Sequence, residues 1–86
     1  MTGVKEPVFK ELVSAGSVRD IIAVAQGRHW HIEAQIGLER RPVQAKRGHL
    51  RSWGSLDTLA RYLRRMGVAE WRIHGADYDP KQSRLT

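Results

Sequence analysis

Apolar residues recur along this chain at two periods, and each predicts a different kind of element. Between residues 19 and 36 every second position is apolar in each half (Ile21, Ala23, Ala25, then Trp30, Ile32, Ala34), the spacing of one strand face. Between 56 and 66 they recur every three or four positions, the spacing of an amphipathic helix. The alternating stretch divides into RDIIAVAQ at 19–26 and HWHIEAQI at 29–36 around Gly27-Arg28. A glycine placed first in a two-residue loop suits a type II′ turn, so the pattern predicts a hairpin. Gln26 then faces His29, Ala25 faces Trp30 and Ala23 faces Ile32. One face collects Ile21, Ala23, Ala25, Trp30, Ile32 and Ala34; the other collects Ile22, Val24, Gln26, His29, His31 and Glu33. A slip of one residue would mix the two sets, so turn chemistry and patterning specify the same register.

The remaining elements follow from caps and breakers. Val8 to Ala15 reads as a short helix with Phe9, Leu12 and Val13 on one face and Gly16 as its left-handed stop. A turn around Gly37-Leu38-Glu39 returns the chain as a third strand near 41–46, with Val43 and Ala45 on the apolar face. Pro42 lacks a ladder donor and marks that strand as an edge. Residues 47–54 read as an extended or looped segment with Leu50 and Trp53 turned inward. Ser55 caps a helix over 56–66, whose stripe is Leu56, Leu59, Leu63 and Met66 and whose stop is Gly67. A last strand is expected over 68–74, with Trp71 and Ile73 facing the core. The predicted fold is a single α+β domain of order α-β-β-β-α-β: an antiparallel three-stranded meander, a crossover helix and a fourth strand. Numbering the strands along the chain, the expected sheet order is 3-2-1-4, with strand four parallel to strand one. Residues 1–7 are expected as a flexible N-terminal arm, 8–76 as the domain and 77–86 as a flexible C-terminal tail.

Charge changes the picture because of where it lies. The 86 residues carry a net charge of +6. Residues 40–65 hold Arg40, Arg41, Lys46, Arg47, Arg51, Arg61, Arg64 and Arg65 against Asp57 alone, a local net charge of +7, while the rest of the chain sums to −1. A regional excess of this kind attracts nucleic acid or an acidic protein surface. Lys46, Arg47, Arg51, Arg61, Arg64 and Arg65 are the candidate contacts for either. Helix-turn-helix, zinc-finger and ribonucleoprotein signatures are missing from the sequence, so phosphate contact without base readout is the form DNA binding would take. Ile22 and Val24, rimmed by His31, Gln44 and Arg72, would form an apolar sheet patch. They supply the alternative reading, a protein–protein adaptor or homodimer without DNA binding.

Catalytic and metal chemistry find little support. The absence of cysteine removes disulfides, thiolate metal sites and cysteine nucleophiles. His29, His31 and Glu33 share a strand face, but residues two apart on a strand stand ~7 Å from one another, whereas zinc ligands converge at about 2 Å from one ion. No serine sits in a strand-to-helix elbow, no glycine-rich phosphate loop is present, and the carboxylates are scattered. No cofactor is expected, and a non-enzymatic role is. No apolar run approaches the ~18 residues of a membrane span, and Met1 to Pro7 lacks a signal-peptide layout; a cytoplasmic location is expected.

Several segments together resemble a known family. They are Ala15-Gly16-Ser17-Val18-Arg19, Ala45-Lys46-Arg47-Gly48, Arg51-Ser52-Trp53, Ser55-Leu56-Asp57-Thr58-Leu59, Met66-Gly67-Val68 and Ala76-Asp77-Tyr78-Asp79-Pro80. Spread over about residues 12–80, they resemble the ParC-like partition-associated proteins of bacterial plasmids and integrative elements, which are unrelated to the topoisomerase subunit of similar name. The resemblance implies an accessory role beside DNA partition or maintenance and carries no catalytic residues with it.

Overall fold

In the computed structural model, which describes residues 3–79, the chain runs β1 (Val4–Lys5), α1 (Glu6–Ser14), β2 (Val18–Gln26), β3 (His29–Ile36), β4 (Glu39–Gln44), β5 (Ser52–Trp53), α2 (Leu56–Arg65) and β6 (Arg72–His74). It is an α+β fold with a mixed sheet of six strands. The β2–β3 hairpin is its centre, with Gln26 paired to His29, Ala25 to Trp30 and Ala23 to Ile32. Gly27 sits at φ 65°, and no residue other than glycine has positive φ among the described residues; only the first turn position needs the glycine, as a type II′ turn requires. That register places Ile21, Ala23, Ala25, Trp30, Ile32 and Ala34 in one buried cluster with Phe9 of α1, Val43 of β4, and Leu59 and Leu63 of α2. Both helices therefore pack on the same face of the sheet. Alanines at three sheet positions leave room for the larger helix side chains to close onto it.

α2 forms where its caps and stripe place it. Ser55 Oγ accepts from the Thr58 backbone N–H at 3.2 Å, and Leu59 and Leu63 are fully buried. Gly67, at φ 88°, ends the helix in a Schellman motif. Its N–H donates to the Arg64 carbonyl at 3.0 Å and that of Val68 donates to Leu63 at 3.0 Å. Val68 then joins the core beside Leu63, the apolar contact that accompanies this motif.

The four expected strands keep the order 3-2-1-4, as β4-β3-β2-β6, and the sheet departs from the expected arrangement by two added strands, β1 beyond β4 and β5 on β3. Its order is β1-β4-β3-β2-β6, with β5 also pairing β3, and the chain order is β-α-β-β-β-β-α-β. The expected arm is the source of one difference. Val4 is buried and pairs in parallel with Val43, and Lys5 pairs with Gln44. The strand bearing Pro42 is therefore not an edge over Val43–Gln44; the proline stands one residue before that pairing begins. A two-residue strand has no periodicity to detect, and its burial comes wholly from the partner. Residues 6 and 7, also assigned to the arm, open α1, with Pro7 in the first turn, where its missing N–H costs nothing.

The second difference is an excursion in the edge beside β3. The chain leaves β4 after Gln44, makes a turn closed by Ala45 N–H to His49 carbonyl at 2.8 Å, and returns with Arg51 N–H donating to Val43 at 3.1 Å. β5 then pairs Ser52 with His31 and Trp53 with Trp30. Trp53 is buried as expected, whereas Leu50 is 40% exposed, because the turn lifts it off the core. At the other side, β6 is shorter than the expected 68–74 and runs parallel to β2. Val68 is drawn into the cap of α2, Trp71 is half-buried and Ile73 is 56% exposed: the helices do not reach over this outer strand. Of the expected tail, Asp77–Asp79 pack on the hairpin turn. Gly27 donates to the Asp77 carbonyl at 3.0 Å and accepts from Asp79 at 2.9 Å, and Tyr78 stacks on Trp30 with centroids 5.3 Å apart. Residues 80–86 of that tail lie outside the described residues. No helix among the described residues is long and apolar enough to cross a membrane.

Candidate anion-binding groove

The face of α1 carrying Glu6, Pro7 and Lys10 and the flank of α2 carrying Tyr62, Arg65 and Met66 form a groove of about 470 Å³, with Lys46 of the 45–49 turn completing its wall. Helical spacing explains each set: positions one turn apart stand on one side of a helix. The excursion between β4 and β5 carries the turn to the groove, since its ends are tied to the sheet while its tip is free to project. Lys10, Lys46 and Arg65 are exposed, and Arg47 is exposed beside Lys46 on the same turn. None of these four cations has a hydrogen-bond or ion-pair partner among the described residues.

A cluster of π and charged groups adjoins the groove. The Arg51 guanidinium lies 4.8 Å from the Trp53 ring centroid, and its Nε lies 3.5 Å from Glu6 Oε2. Trp53 in turn contacts Tyr62, ring centroids 4.9 Å apart at 49°. The Tyr62 hydroxyl is buried without an aligned hydrogen-bond partner among the described residues. Burial, and then the nearby Glu6 carboxylate, push the phenol well above its ordinary pKa. Both effects disfavour the phenolate, so the hydroxyl stays a protonated donor rather than an activated nucleophile at neutral pH.

The six basic candidates from the sequence thus divide. Lys46 and Arg65 line the groove, and Arg47 stands next to it. Arg51 is engaged by Glu6 and Trp53. Arg61 pairs with Asp57 one helical turn away at 2.7 Å, and Arg64 donates to the Val68 carbonyl at 3.0 Å; neither lines the groove. Lys10 was not among the candidates. Its helix lies outside the basic 40–65 run, and only the packing of α1 beside α2 brings it there. The i,i+4 spacing of Glu6 and Lys10 was a signal that they share a helix face, though not of what that face meets.

The apolar sheet patch expected from Ile22, Val24 and His31 is not formed. Ile22 is only 3% exposed, at the floor between Arg40 and Arg72. Ile73 and His74 line the same hollow. Arg72 is fastened to Asp20. Val24 is half-buried. His31 Nε2 lies 3.2 Å from Glu33 Oε2, and Arg40 reaches the other oxygen of Glu33 at 3.8 Å. This face is a carpet of paired polar groups rather than an apolar surface. The chain matches no family model, no curated protein and no solved structure.

Proposed function

We propose that this protein is a non-enzymatic accessory protein that binds the phosphate backbone of duplex DNA, without reading sequence, through Lys10, Lys46, Arg47 and Arg65. The resemblance to partition-associated proteins supports a place in plasmid or mobile-element maintenance. The observation that carries the binding reading is that three cations from three separate segments, two helices and a turn, line one groove, with Arg47 next to Lys46, and that none of the four has a hydrogen-bond or ion-pair partner among the described residues. Local ion pairs and a helix cap engage Arg51, Arg61 and Arg64 elsewhere. A stable protein–protein contact draws on a desolvated apolar or aromatic anchor, and the apolar side chains lining the groove are Pro7 and the half-buried Tyr62 and Met66. A polyanion with regularly spaced charges needs no such anchor. Base stacking would need an exposed aromatic face, which favours duplex over single-stranded DNA.

Fluorescence anisotropy with a random-sequence duplex tests the proposal. With about four phosphate contacts, log K falls with log salt at a slope near −3.6, so binding weakens roughly 150-fold between ~50 and ~200 mM salt. Lys46→Glu with Arg65→Glu abolishes binding at ~50 mM, whereas Arg61→Glu with Arg64→Glu weakens it far less. Absence of binding at ~50 mM salt, or equal losses from the two double variants, would overturn it.

A further inference from the structure

We propose that Glu6 is a built-in competitor for the phosphate, setting the affinity of the groove by standing where a ligand anion would be drawn. The inference rests on the phosphate-binding reading of the groove and goes beyond it in assigning a restraining group. Glu6 is the one carboxylate among the described residues that lines the groove, on the same wall as Lys10 and together with Lys46 and Arg65. It also holds Arg51 by an ion pair at 3.5 Å. That pair is poorly aligned: Arg51 Nε has no hydrogen bond although it is buried, and neither has the Tyr62 hydroxyl. Two buried donors, the Tyr62 hydroxyl in the groove wall and Arg51 Nε beside it, thus face one carboxylate, Glu6, which serves both imperfectly. An arriving phosphate meets the repulsion of Glu6 and finds Arg51 already engaged. Trp53 supports the guanidinium from its ring face, so Arg51 keeps its place when the carboxylate is neutralised and becomes available to an external anion.

The local placement of Glu6 argues in the same direction. At the first position of α1, a carboxylate complements the positive end of the helix dipole. The same charge that stabilises α1 is thereby set into an otherwise cationic wall. Glutamate in this place trades binding strength for helix stability and for easy release of DNA, a useful property in a protein whose contact carries no sequence information.

Salt titrations of duplex binding with three variants test the proposal. Glu6→Gln, nearly isosteric, tightens binding about 3- to 10-fold at ~50 mM salt and steepens the salt slope by about 0.9, one added phosphate contact. Adding Arg51→Gln to Glu6→Gln returns the slope to the wild-type value. Glu6→Asp, which keeps the charge, leaves the slope unchanged. Circular dichroism melts confirm that each variant is folded at the titration temperature. If the wild type binds and Lys46→Glu with Arg65→Glu does not, while folded Glu6→Gln binds like wild type or more weakly, the competitor role is overturned and the phosphate-binding role stands. If neither the wild type nor Glu6→Gln binds at ~50 mM salt, both are overturned.

Discussion

Tyr62 shows how one residue reports on its whole surroundings. Its ring fills space between Trp53 and the groove, and its hydroxyl is closed off from water beside a carboxylate. Since burial and Glu6 raise its pKa in the folded protein, the neutral phenol is the form compatible with folding. A raised acid contributes stability that is fully present below its unfolded pKa, about 10, and is lost as pH rises from there through the folded value. Tyr62→Phe removes the titrating group and keeps the ring. Urea midpoints measured from pH 8 to 11 should fall less steeply with pH in the variant than in the wild type. Parallel curves would show that the hydroxyl is not buried in solution. Arg51 makes the complementary point. Its formal charge placed it among the DNA contacts, yet a guanidinium lying on an indole and paired with Glu6 is part of the fold before it is part of any interface.

At the scale of the element, α2 packs on the sheet with one face and borders the groove with the flank beside it. Leu59 and Leu63, fully buried, hold it on the sheet, and Tyr62, Arg65 and Met66 form one wall of the groove. Leu59→Ala and Leu63→Ala should each cost about 2–5 kcal/mol, the range for cavities left in a core, read as a lowered denaturant midpoint. Unchanged midpoints would mean that the stripe is not core. Charge reversal at Arg65 should lower the midpoint far less, by about 1 kcal/mol, because the side chain is exposed and the loss is confined to its interaction with the negative end of the helix. The helix was legible in the sequence for the same physical reason that it is stable. A cap, a stripe of period 3.6 and a glycine stop all lie within one short window, and each satisfies the backbone or buries a side chain locally. The Gly27-Arg28 hairpin was equally legible, since loop length and alternation impose one register.

Across the whole molecule, closure depends on segments that meet only in the tertiary structure. β1 closes one side of the sheet against β4, and Gly75–Asp79 closes the hairpin end, where Tyr78 covers Trp30. Trp30 is 5% exposed in this arrangement. Tyr78→Ala should shift tryptophan emission to longer wavelength as water reaches the indole, and should lower stability by about 1 kcal/mol for the lost ring pair beyond its area. Emission identical to wild type would show that the segment does not shield Trp30. The two closing segments share a property: each is too short to carry a period of its own, so its order is supplied by the surface it lands on. Local periodicity accordingly carries no sign that residues 3–7 and 77–79 belong to the domain.

The amino-acid sequence by itself determined the elements whose signals are local, namely the hairpin register, the apolar faces, the helix caps and the helix stripe. It also determined that positive charge concentrates between residues 40 and 65. Only the tertiary structure decided which of those charges remain unpaired. Arg51, Arg61 and Arg64 found partners in Glu6, Asp57 and the Val68 carbonyl, and Lys10 joined Lys46 and Arg65 from a distant part of the chain. It decided likewise that Ile22 is buried on a face with no helix over it. Periodicity records how a segment relates to itself, through bonds and contacts a few residues apart. Ion pairing and burial depend on separations of a few ångströms between segments, and those are set by packing.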